Sequence, residues 1–358
     1  VYDGSMMPSG VLLLPILRDI LQRESITIVH AHAVCTMSFE AVVLSALMGY
    51  HVVYTEHSNY GTGGFVNALL NRASRIALTH ADALISVSRT CQADLALRCC
   101  LAPAEVDVIP NAVDASRFQP APGNVHPPGC IVIVVITRLV WRKGTHLLAE
   151  LIPDICRRHP DVHFVIGGDG PKRPLLEAMR ERHALCERVE LLGAVPHEHV
   201  PSLLTRGHIF LNTSLTEAFC IAIIEAVCCG LTVISTNVGG VPELLPSHMI
   251  HLTEPTTTAL LSSLDAIIPA VRERSHAPSF HDQVASMYSW RRVAERTAVI
   301  YDRIIKQEPQ TLWYRFQKMR ADGVGPLTLA FACMVLATQC SFLWLLRLWR
   351  PDVHLKRV

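Results

Sequence analysis

Short apolar runs rich in β-branched residues, each closed by a polar or glycine-rich turn, alternate with helical patterns along the chain. After the helical stretch "GVLLLPILRDILQRE" come "ITIVHAH", "HVVYTEH" and "ADALISVS". After the Pro/Gly-rich break "QPAPGNVHPPG" (119–129) come "CIVIVVITRL", "VHFVIGGDG", "VELLGAV", "HIFLNTS" and "TVISTNVGG". A strand that is apolar without alternation is buried on both faces, and a helix between successive strands makes them parallel. Few folds satisfy both conditions. The pattern predicts an α/β protein of two Rossmann-like, doubly wound domains, at residues 1–125 and 126–286, facing a cleft. Ligands of such sheets sit at the carboxyl ends of the strands.

The remaining sequence is of a different kind. "MYSWRRVAERTAVIYDRII" predicts one amphipathic helix over 287–305, inside a helical and interfacial segment 287–323. Val324 to Leu346 carries no charge, and its length suits a single membrane crossing, for which about 20 residues are needed. A short tail, 347–358, follows. Flanking charges barely favour either orientation, with Arg315, Lys318 and Arg320 on one side and Arg347, Arg350, Lys356 and Arg357 on the other. Lys and Arg number 32 against 31 Asp and Glu, which excludes a typical nucleic-acid binder. The twelve cysteines form no C-x-x-C pair, so reduced thiols fit better than a zinc site or a disulfide framework.

The chemistry concentrates in "SLTEAFCIAIIEAVCCGL" (214–231). Asn212, Thr213, Ser214 and Thr216 are capping residues, so a helix is predicted from about Glu217 to a stop at Gly230. Glu217 and Glu225 then stand about 12 Å apart along one axis, comparable to the span from the sugar to the ribose of a nucleotide sugar. An isolated carboxylate among Ile223, Ile224, Ala226 and Val227 costs several kcal/mol unless something pairs with it. Spacing alone leaves two partners equal, a buried arginine or a ribose diol. Arg138 and Lys143 in "VITRLVWRKG" follow a strand directly, where two cations can neutralise a diphosphate. No D-x-D and no G-x-S-x-G occurs, so neither a metal-bridged diphosphate nor a serine hydrolase has its residues. His30, His32, Glu56 and His57 stand at strand ends of the first domain.

Together "TRLVWRKG", "GGDGP", "LNTSLTEAFCIAIIEA" and "STNVGGVPELLP" resemble the retaining glycosyltransferases of family 4, which have the GT-B fold. Most members read E-A/G-F-G at the first glutamate, whereas this chain has Cys220. With "YTEHSNYG", "VIPNAVD" and the terminal apolar segment, that cysteine resembles the members that move GlcNAc from UDP-GlcNAc to phosphatidylinositol, opening glycosylphosphatidylinositol anchor synthesis. The resemblance implies that Arg138 and Lys143 hold the diphosphate and that Glu225 binds the ribose. It further implies that Glu217, with the N–H groups of Ala218, Phe219 and Cys220, holds the GlcNAc ring, and that His57 reaches the donor sugar. No metal or other cofactor is implied. Retention is expected through front-face attack, with UDP itself taking the proton of the inositol hydroxyl.

A single-pass protein of the endoplasmic reticulum membrane with cytosolic catalytic domains is expected, among other subunits of a complex. A phosphatidylinositol mannosyltransferase is a rival that Cys220 and the apolar segment disfavour. A non-catalytic scaffold is a second rival, disfavoured because all four charged residues are present. Family members open with a strand and a glycine-rich loop that this chain begins after, so its first domain is expected to be incomplete.

Overall fold

The structure, a computed structural model, describes residues 12–60, 63–120, 129–273, 279–308, 310–321 and 325–351. The chain divides into two compact units, Val1–Ile109 with Ala294–Val358, and Pro110–Val293.

Unit 1 begins with α1 (Leu13–Arg23), β1 (Ile28–His32), α2 (Thr36–Leu47), β2 (His51–Glu56), α3 (Phe65–Leu78), β3 (Ala83–Ser86), α4 (Arg89–Cys99) and β4 (Val106–Val108). Its sheet is parallel throughout, in the order β1-β2-β3-β4. Pro15 is tolerated in α1 because it lies in the first turn, whose N–H groups have no intrahelical acceptor. Ser88 caps α4, its hydroxyl accepting from the Cys91 N–H at 3.0 Å. Val52, Tyr54, Leu84 and Val106 of the strands pack with Val42, Leu78 and Leu95 of the helices.

Unit 2 contains β5 (Ile131–Ile136), α5 (Thr145–Arg158), β6 (Val162–Gly167), α6 (Arg173–Arg182), β7 (Val189–Gly193), α7 (Val200–Leu204), β8 (Ile209–Asn212), α8 (Ile221–Cys228), β9 (Thr232–Thr236), β10 (Ile250–Thr253), α9 (Thr257–Arg272) and α10 (His281–Met287). Its parallel sheet has the order β10-β9-β8-β5-β6-β7. The alternation of β5 builds a core on each face. Ile131, Ile133 and Val135 enter one apolar cluster, Val132 and Val134 the other. Each such side chain contributes about 1.5–3 kcal/mol when fully buried. Residues 110–120 belong to this unit through Val113 and Phe118, which are buried in its core. All eight strands expected from sequence are present; β4 and β10 add two short ones.

Two helix predictions need correction. The helix foreseen at 287–305 is present as α11 (Trp290–Ile305) but starts three residues later, because Met287 ends α10 instead. Tyr288 leaves the helical path to bury its ring in the unit 2 core, with its hydroxyl donating to the Leu244 carbonyl at 2.5 Å. Ser289 then caps α11 through the Arg292 N–H. The helix foreseen from Glu217 starts at Ile221, as described below.

From Ala294 onward the chain belongs to unit 1, ending in α12 (Leu312–Ala321) and α13 (Pro326–Trp349). Thr328–Trp349 of α13 is long and apolar enough to cross a membrane, with a mean hydropathy of 2.0 and little of it buried. Val324, where the sequence placed the start of the span, lies outside the described residues.

Gly144, just before α5, has φ +69°, and a Cβ built there lies 1.9 Å from the Thr213 carbonyl oxygen. Gly49 also has positive φ, +90°, but no atom lies within 4 Å of its Cβ position. Gly49→Ala is therefore expected to cost about 1 kcal/mol for left-handed backbone alone. Gly144→Ala is expected to cost well beyond about 2 kcal/mol, since main chain itself must move. Denaturant midpoints of the two variants check the difference.

Candidate active site

In unit 2, β5 and β8 are neighbours whose outgoing loops lead to helices on opposite faces of the sheet. A doubly wound sheet opens its ligand crevice at this point. The β5–α5 loop carries Arg138 and Lys143, and the β8–α8 loop carries Glu217 through Cys220. The two loops are fastened to each other. The Leu215 N–H donates to the Arg142 carbonyl at 2.9 Å, and the Thr213 hydroxyl donates to the Lys143 carbonyl at 3.0 Å.

Lys143 and Glu217 meet directly, Nζ to Oε1, at 2.5 Å. The Ser214 hydroxyl donates to the same carboxylate oxygen at 2.7 Å. A buried polar chain continues behind it. Ser214 also contacts Asn212 Oδ1 at 2.9 Å, Asn212 Nδ2 donates to the Ser235 hydroxyl at 2.9 Å, and Thr236 donates to the Ser214 carbonyl at 2.5 Å. These residues were expected to cap a helix starting at Glu217. Their side chains instead bind the sheet and the neighbouring loop, so Glu217 to Phe219 stay outside the helix, which begins at Ile221 with Cys220 at its N-cap. The glutamates therefore do not share one helix axis. In the first turn of α8 the Ile223 N–H donates to the Cys220 carbonyl at 3.2 Å, and the N–H groups of Ile221 and Ala222 lie before the first i→i−4 acceptor. Arg138 is exposed on the β5–α5 loop. Cys220 is buried, and that burial holds its thiol protonated.

Glu225 lies inside α8 and is 6% exposed. Among the described residues its carboxylate meets an imidazole rather than the buried arginine weighed from sequence. His197, from the turn after β7, approaches with Nε2 at 3.2 Å from Oε1, and the charge of Arg117 acts on it as well. Burial still dominates and raises the carboxyl pKa above its ordinary range. His197 was missed by sequence reading. It lies 28 residues from Glu225, and only the crossing from β7 to the switch point brings them together.

Unit 1 gathers three imidazoles at the carboxyl ends of β1 and β2. His32 Nδ1 and His57 Nε2 are 3.0 Å apart, and the His30 and His32 rings stack at 4.3 Å. Desolvation, helped by the neighbouring imidazoles, lowers His30 and His57 to about 4; it lowers His32 too. Glu56, fully buried, is a structural group. It pairs with Arg98 at 3.0 Å and accepts from the backbone N–H groups of His57 and Ser58 at 3.0 and 3.1 Å, fixing the turn that presents His57. The twelve cysteines are all unpaired.

Residues 5–117 match the family described as Glycosyltransferase Family 4, and residues 121–268 match Glycosyl transferases group 1. The chain is 46% identical over 344 residues to a named subunit of the Arabidopsis thaliana phosphatidylinositol N-acetylglucosaminyltransferase, covering 95% of this chain and 75% of that protein. Identity to the Homo sapiens protein of the same name is 43% over 355 residues, with coverage of 98% and 73%. Among solved structures, Anabaena HepE in complex with UDP superposes with a TM-score of 0.69 at 20% identity, covering 83% of this chain and 85% of that one.

The lowered histidines fix a pH dependence. A histidine held near 4 in the fold, against 6.5 unfolded, leaves the unfolded chain binding more protons between those values. Stability is expected to fall as pH drops from about 6.5 towards 4, and replacing His30 and His57 together with glutamine is expected to flatten that slope. Urea midpoints across this range test it.

Proposed function

The chain belongs to the family of phosphatidylinositol N-acetylglucosaminyltransferase subunits that are family 4 glycosyltransferases, and on that premise we propose that it transfers GlcNAc from UDP-GlcNAc to phosphatidylinositol. Its two parallel-sheet units have the GT-B fold. The observation that carries the proposal is the assembly of Lys143, Glu217 and Ser214 at the switch point of unit 2, in a chain this close to the named relatives.

In this reading the UDP diphosphate lies over the β5–α5 loop and the N-terminus of α8. Arg138, Lys143 and the N–H groups there supply positive charge in place of a metal ion. The Glu217 carboxylate and the N–H groups of Ala218, Phe219 and Cys220 hold the GlcNAc ring. Lys143 is then shared between Glu217 and the phosphate. Glu225 accepts the ribose hydroxyls, which take over the place that His197 now fills. In unit 1 the neutral His57 takes a sugar hydroxyl. The bond from the anomeric carbon to the phosphate oxygen breaks as the bond to the inositol oxygen forms on the same face. The inositol proton passes to the departing UDP oxygen. Negative charge grows on UDP during this step, so the basic pair acts most strongly in the transition state.

The acceptor is a lipid, and α13 supplies a means of holding the protein beside it: we place α13 across the endoplasmic reticulum membrane, with both units in the cytosol and other subunits alongside. The primary test is transfer of labelled GlcNAc to phosphatidylinositol by this chain in membranes lacking the endogenous activity. Failure to form that product overturns the proposal.

Two variants separate the roles. Each hydrogen bond to a charged group is worth about 1.5–3 kcal/mol, so Glu225→Gln is expected to weaken UDP binding at least tenfold by calorimetry. A carboxyl whose pKa is raised by folding loses stability as pH rises, so the glutamine is expected to melt no lower than wild type at neutral pH. Arg138→Ala is expected to lower kcat more than ground-state UDP affinity, and wild-type transfer is expected to persist in EDTA. A strict need for added divalent metal contradicts the role given to the basic pair.

A further inference from the structure

The imidazole array of unit 1 has an internal logic that a lone histidine lacks. His30 uses both ring nitrogens within the protein: Nδ1 meets the Tyr301 hydroxyl at 2.6 Å and Nε2 meets Thr55 Oγ1 at 2.7 Å. It has no nitrogen left for a ligand and serves as a fixed plate. His32, two residues on along β1 and so on the same face, stacks on that plate at 4.3 Å and 22°. His57 stacks in turn on His32 at 5.3 Å and 27°, and their nitrogens meet at 3.0 Å. The backbone of His57 is held independently, by Glu56. Ring and main chain of His57 are thus fixed from two directions.

Two neutral imidazoles sharing one hydrogen bond have only two proton arrangements. If His32 Nδ1 carries the bridging proton, His32 Nε2 is bare and His57 Nδ1 carries a proton. If His57 Nε2 carries it, His57 Nδ1 is bare and His32 Nε2 carries a proton. Either way the two outer nitrogens are one donor and one acceptor, without net charge. A hydroxyl both donates and accepts, so it complements this pair; an ionised phosphate, which only accepts, does not.

We propose that His32 is the positioning residue for His57: it occupies Nε2, leaves Nδ1 as the ring nitrogen offered to substrate, and makes the pair a hydroxyl-binding subsite for a sugar or polyol. The plate of His30, Tyr301 and Thr55 sets the plane of the pair. This rests on the role given to His57 above.

The experiment is a mutant cycle in the full chain, reading GlcNAc transfer to phosphatidylinositol in membranes, with UDP affinity by calorimetry in parallel. His57→Ala is expected to lower kcat/KM at least tenfold, and His32→Ala to lower it to within threefold of that level. The double variant is expected to be no slower than His57→Ala. His32→Asn, whose amide can replace the missing partner, is expected to recover at least a third of wild-type activity. Tyr301→Phe is expected to cost about threefold, and nothing further once His32 is alanine. UDP affinity stays within twofold throughout, because the diphosphate and ribose groups lie in unit 2. Additive losses in the double variant, or a fully active His32→Ala, overturn the positioning role while leaving the function standing. A fully active His57→Ala overturns the assignment of His57 itself. Should His32→Ala fail to fold, the comparison of His32→Asn with His32→Gln decides. A glutamine too long for the gap and as inactive as His57→Ala supports the geometry, and equal activity of the two overturns it.

Discussion

The candidate site of unit 2 depends on a close approach between two loops, not between two side chains. Gly144 lies against the Thr213 carbonyl so tightly that even a methyl group there meets the main chain. Everything placed on the two loops depends on that contact. It sets the distance from Lys143 to Glu217, and the Thr213 and Leu215 hydrogen bonds hold it closed. The polar chain through Ser214, Asn212, Ser235 and Thr236 carries the same constraint down into the strands. The loop that carries the Glu217 carboxylate is thereby tied to the sheet beneath it. That attachment is what a site needs if its charges are to be aimed before the substrate arrives.

Much of this was readable from residue order. The strands of both units announced themselves because parallel strands buried on two faces leave no room for polar residues. β4 and β10 escaped because three or four residues at a sheet edge carry too little pattern. The helix start was misplaced for a more instructive reason. Asn212, Thr213 and Ser214 have the chemistry of caps, but other partners claimed their side chains, and the backbone stayed outside the helix as far as Cys220. Glu225 was legible as an anomaly, a charge among aliphatic residues. Its imidazole neighbour was not, because His197 belongs to a turn with no distinguishing pattern. The same holds for Tyr301, which reads as one more face residue of an amphipathic helix.

Burial of Glu225 and of the Glu56–Arg98 pair illustrates two uses of a costly charge. Glu56 has a guanidinium and two backbone N–H groups, so the charge serves shape, fixing a turn. Among the described residues Glu225 meets the imidazole of His197, itself largely exposed, and feels the charge of Arg117, yet burial still pushes its carboxyl upward. A carboxylate whose burial outweighs its partners costs stability, as groups at functional sites commonly do.

Tyr301 and His30 are 271 residues apart in the chain. During synthesis the strands of unit 1 emerge early, and domains fold in the order in which they leave the ribosome. The plate beneath the histidine pair cannot form then. It waits until unit 2 has been made and α11 has returned to unit 1, just before the apolar helix α13 is translated. Assembly of this site is therefore tied to synthesis of α11: a nascent chain halted between β10 and α11 has the strands of both sheets but not the contact of Tyr301 with His30.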